Sequence, residues 1–135
     1  MTGPDGSLAS APGDEVRLSL PASPGYSRVA RLALTGMASR LGFSYDEVED
    51  VRIAVGELFG VLLDPDGPRE PGERLVLTCR MDAHLLGVRA ALDPPRDLAE
   101  IAELSRQILG AVVDEVQIDL RIGTVAFTKV AEAAR

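Results

Sequence analysis

Few side chains in this sequence are reactive near neutral pH. Its 135 residues hold one histidine, His84, one cysteine, Cys79, and one lysine, Lys129. A lone cysteine closes no internal disulfide, and no Cys/His spacing suits zinc, so no metal site is expected. His84 falls in a strand-like run, where a single histidine reads as a surface residue. The carboxylates remain. Glu57 lies within EDVRIAVGELFGVL, residues 49–62, a mostly apolar helical stretch. There it serves as a solvated edge or as the ion partner of an arginine such as Arg52. Asp93 heads DPPRD, residues 93–97, and reads as a turn or helix-start residue.

These groups need elements to position them. Residues 1–13 are Gly/Pro/Ser/Ala-rich and read as a flexible tail, leaving 14–135 as one domain. EVRLSL alternates as a half-buried strand. In PASPGYSRVARLALTGMASRLG, Ser23 is the expected N-cap with Pro24 in the first helical position. Val29, Leu32, Ala33, Met37 and Leu41 recur at helical spacing, and Gly42 ends the helix. SYDE opens a second helix with Ser44 and Glu47 as a capping box, and Val48, Val51, Val55, Leu58, Phe59 and Leu62 form its stripe. The turn-formers DPDGPREPGE, residues 64–73, stop it. RLVLTCRM and HLLGVRAAL form a hairpin across Asp82 and Ala83. A third helix is expected over 98–113, followed by strands EVQIDL and TVAFTKV hinged near Gly123. Strands and helices do not strictly alternate, so the expected fold is α+β: a two-layer sandwich, its sheet mixed and mostly antiparallel, with three helices on one face.

Composition narrows function. With 46% hydrophobic and 26% charged residues the chain can bury a real core. Its net charge of -7 argues against direct nucleic-acid binding and steers towards a basic partner surface. No signal peptide or long apolar span is apparent, so a cytoplasmic protein away from membranes is expected.

PASPGYSRVARLALTGMASRLGFSYDEVEDVRIAVGE, residues 21–57, resembles the anti-sigma-factor serine kinases of bacterial partner switches, the RsbW-like branch of the GHKL ATPase superfamily. VVDEVQIDLRIGTVAFTK, residues 112–129, is similar to that family's closing helix end and hairpin. The resemblance implies the Bergerat, or histidine-kinase-like ATPase, fold. It also implies a homodimer that binds a sigma factor and an anti-anti-sigma (STAS-type) antagonist, which it phosphorylates on serine using Mg-ATP.

The implied active site is tested position by position. Glu57 matches the family's general base. Four residues on, where an asparagine holds Mg²⁺, stands Val61, which has no lone pair for a hard cation. Asp64 shares that helical face but opens a turn-rich loop. Ala91 occupies the position of the adenine-reading aspartate, with Asp93 two residues later and Pro94 and Pro95 where glycines belong. Leu104, Ser105 and Arg106 replace the phosphate-cradling glycines, and the long flexible lid before them is missing. Loss of metal ligand, adenine reader and lid together reads as retirement of one function. No cofactor is expected, Glu57 is vestigial, and Mg-ATP remains the alternative. Partner contacts are expected at Arg31, Arg28 and Tyr26, since arginine and tyrosine give area and directional hydrogen bonds. The expectation is therefore an anti-sigma-factor-like regulator without kinase activity. The alternatives are an active serine kinase of the antagonist, or a non-catalytic subunit paired with an intact kinase paralogue.

Overall fold

The computed structural model describes residues 13–63, 68, 70–98 and 100–134. The expected tail, apart from Gly13, and Asp64 lie outside the described residues. Five strands, β1 (Asp14–Pro21), β2 (Arg74–Asp82), β3 (Leu85–Asp93), β4 (Glu115–Asp119) and β5 (Thr124–Val130), form one sheet in the order β1-β2-β3-β5-β4. Every pairing is antiparallel, not mixed as expected. Topology gives the reason. The single helix between β3 and β4 sends β4 back in the direction of β3, but β5 inserts between the two and no parallel neighbours arise.

Helices α1 (Ser27–Arg40), α2 (Tyr45–Leu62) and α3 (Glu103–Val112) pair with strands that alternate inward and outward. Register aligns inward residues in rows across the sheet. Leu18, Leu77, Ala90, Val125 and Ile118 make one row, and Val16, Cys79, Val88, Phe127 and Val116 the next. They meet Ala30, Leu34 and Ala38 of α1 and Val51, Val55, Leu58 and Leu62 of α2 in a single core. Each fully buried Leu or Val there contributes about 1.5–3 kcal/mol. Burial also raises the pKa of the Cys79 thiol to about 12, so it behaves as an inert core residue.

The second helix begins as its sequence requires. Ser44 N–H donates to Glu47 Oε1 at 2.8 Å, and Glu47 N–H donates to Ser44 Oγ at 3.2 Å. The first helix differs from expectation in two ways. Ser23 precedes a 3-10 turn, Pro24–Tyr26, and makes no side-chain cap. The buried face is Ala30, Leu34, Thr35 and Ala38, while Val29 and Leu32 are 48% and 76% exposed. Small alanines let α1 approach α2 closely, and the larger Val29 and Leu32 face outward. The β2–β3 turn sits at Ala83 and His84, one residue later than expected, with Ala83 at φ 51. The third helix starts at Glu103, five residues late; before it, Leu98 N–H bonds the Leu120 carbonyl at 2.7 Å.

Candidate functional site

Glu57 and Val61 share a face of α2, four residues apart. Glu57 is half-buried and forms no ion pair among the described residues. The expected partner Arg52 instead bonds Glu49 at 3.3 Å. Val61 packs against the hydrophobic core. The position that would need a lone pair is used for packing.

Glu57 lines an open depression of about 430 Å³ with Arg31, Arg52, Ile53 and Gly56. The guanidinium of Arg31 lies over Gly56, its Nη2 3.2 Å from where a Cβ would stand. Glycine at this helix position therefore makes room for the arginine. Thr35 Oγ1 donates to the Arg31 carbonyl at 2.7 Å, and Arg31 has no carboxylate partner among the described residues. Arg31 and Glu57, expected in separate roles, thus share one surface. Arg28 is exposed, and Tyr26 is 41% exposed at the end of the 3-10 turn.

The adenine-reading positions lie elsewhere. Leu92 and Ala90 of β3 are 1% and 0% exposed beneath the helices, so alternation turns Ala91 and Asp93 to the opposite sheet face. There they border a groove of about 380 Å³ with Arg17, Thr78 and Arg89. Asp93 is the last residue of β3, ten residues ahead of α3, rather than a helix start. The sheet separates it from Glu57. Ser105 falls in the first turn of α3 and is half-buried, with Leu104 66% exposed beside it. No groups capable of holding a metal cluster among the described residues.

At the other end of α2 the charges are satisfied internally. Lys129, 7% exposed, bonds Asp50 at 3.2 Å and the Val112 carbonyl at 2.8 Å. Glu47, also 7% exposed, accepts from Ser44 and from the Glu132 amide. Burial alone would raise its pKa. The Ser44 and Glu132 amides, the Ser44 hydroxyl and the nearby Lys129 ammonium outweigh that and hold it below the usual 4.5.

Two features of this surface escaped sequence reading. Val29 and Leu32 were assigned to the core, and Ile53, 43% exposed, was not singled out. The signal was partly present: Arg28 and Arg31 stand three residues apart in a stretch, residues 16–45, that holds no acid, in a protein of net charge -7. The local charge of α1 thus has the opposite sign to that of the whole chain. No described helix is long and apolar enough to cross a membrane.

Comparison with known proteins agrees with this geometry in part. No family model matches the chain. Over 44 residues, 33% of the chain, it is 54% identical to the serine-protein kinase RsbW of Listeria monocytogenes serotype 4a. It is 50% identical to that of Bacillus subtilis (strain 168) over the same length. The chain spans 28% of the length of these curated relatives. A solved structure of the RsbU and RsbW domains of a Mycobacterium tuberculosis protein superimposes with a TM-score of 0.65 at 16% identity, covering 90% of this chain and 33% of that one. Over the matched segment the chain is similar to RsbW kinases, and its α+β sandwich has the fold of that solved structure, as the resemblance implied.

Proposed function

We propose that this RsbW-like chain is an anti-sigma-factor-like regulator that acts by binding alone, holding a sigma factor, an anti-anti-sigma antagonist, or both. The observation that carries the reading is the outer face of α1. Tyr26, Arg28, Val29 and Leu32 are exposed there, and Arg31 is held over Gly56 without a counter-ion among the described residues. Such a face suits an acidic partner surface with apolar knobs, in which Arg31 receives a carboxylate. Sequestration needs only an interface that competes with RNA polymerase. A homodimer working in the cytoplasm belongs to the same reading.

Mg-ATP does not fit the residues present. Val61 offers no ligand, Ala91 and Asp93 face away from Glu57 across the sheet, and Leu104, Ser105 and Arg106 lack the backbone freedom of glycine. Titration of the chain against purified sigma factors and STAS-type proteins of its source tests the binding reading. Arg31→Ala is expected to weaken the complex at least about tenfold while leaving stability within about 0.5 kcal/mol. An unchanged affinity removes α1 from the interface. A serine kinase that phosphorylates its antagonist is the second reading, favoured by Glu57, which has no ion pair among the described residues, and by the kinase name of the relatives. Transfer of labelled phosphate to such an antagonist, lost in Glu57→Ala, would establish it.

A further inference from the structure

In the connection from β3 to α3 the described residues, 94–98 and 100–102, form no helix or strand, yet they are held at several points. Arg96 Nε donates to Glu73 Oε2 at 3.0 Å, and its Nη2 reaches the Leu62 carbonyl at 3.4 Å. The Glu73 side chain is 3% exposed and that of Arg96 16%, so neither charge rests in open water. Two residues on, Leu98 N–H bonds the Leu120 carbonyl, the Leu98 side chain packs on the core, and Ile101 is buried. Gly123, at φ +69, faces the Arg96 carbonyl, and a Cβ there would lie 2.2 Å from that oxygen. The β4–β5 turn is shaped to receive the connection.

Arg96 thus joins three places distant in sequence: the end of α2, the residue before β2, and the β3–α3 connection. We propose that the Arg96–Glu73 pair is a latch that makes this connection a fixed strap, in the stretch where the resembling kinases carry a long flexible lid. An irregular segment with few tethers opens at low free energy. Here the tether is a charge pair of low exposure, in which Arg96 is held by both the Glu73 carboxylate and the Leu62 carbonyl. With the latch closed there is no lid to be ordered by an arriving nucleotide. That consequence, unlike the latch itself, rests on the reading of a retired ATP site.

Native-state hydrogen exchange on the full chain tests the latch. The paired variant Glu73→Gln/Arg96→Gln removes both charges of the pair together. Exchange of the Leu98 amide is expected to rise at least about tenfold, since a hydrogen bond to a charged group is lost from a locally opening unit. The amides of Leu77 and Val88, within β2 and β3, are expected to keep wild-type rates. Unchanged exchange at Leu98 overturns the latch. Loss of protection throughout the chain overturns it too, because the pair would then be part of the global core and not a local tether. Titration of the unmodified chain with Mg-ATP is the second arm. Binding there would overturn the retired-site reading and leave the latch standing.

Discussion

At position 61 a branched hydrocarbon does the work of packing on the face where Glu57 would need a metal-binding neighbour. Glu57 itself gains nothing from its surroundings: no ion pair among the described residues, and an arginine-lined depression beside it. Arg31 is better supported, by Gly56 beneath it and Thr35 bonded to its carbonyl. The two residues were legible as candidates for different reasons, yet only their positions on adjoining helices show that they share a surface. Glu47 is the residue whose charge the fold exploits most. Its carboxyl is held below 4.5, so the unfolded chain takes up this proton more readily than the native one. The stability it contributes is therefore present above that pH and is lost as pH falls through the lowered native value. Denaturant melts of Glu47→Gln are expected to show a flatter acid limb than the wild type, and an unchanged limb would assign the pH dependence to other groups.

Among the elements, α2 carries both the strongest sequence signal and the site that has changed. Its start is written in four consecutive residues, SYDE, whose capping box needs no tertiary contact. The β2–β3 and β4–β5 hairpins were legible for the same reason, since their turns and alternation are local. The outward face of α1 was not. Helical spacing alone admits two phases, and only packing of Ala30, Leu34 and Ala38 chooses between them. Nor was the path of the chain before α3, because the bond from Leu98 to Leu120 and the insertion of β5 beside β3 are set by distant parts of the chain. The retired site was legible as a loss of residue types, but the sheet lying between Asp93 and Glu57 was not. Restoring one residue should therefore restore no binding. Val61→Asn is expected to cost about 1–3 kcal/mol by setting an amide against the core. It is expected to give no Mg-ATP affinity by calorimetry, whereas a gain would mean that the metal position alone had been missing.

Over the whole molecule, charge and shape divide. The net charge is -7, while the charged residues of α1 are Arg28, Arg31 and Arg40, with no acid. A patch of opposite sign to its own protein steers an acidic partner to one face and discourages contact elsewhere. The helical layer, tied at one end by Glu47 and Lys129 and at the other by Arg96 and Glu73, presents that face from a rigid support. Binding without chemistry is the central claim, and calorimetric titration of the full chain with millimolar Mg-ATP meets it most directly. The expected result is no heat of binding and no thermal stabilisation. Micromolar affinity that Glu57→Ala weakens would contradict it and put the serine kinase in its place.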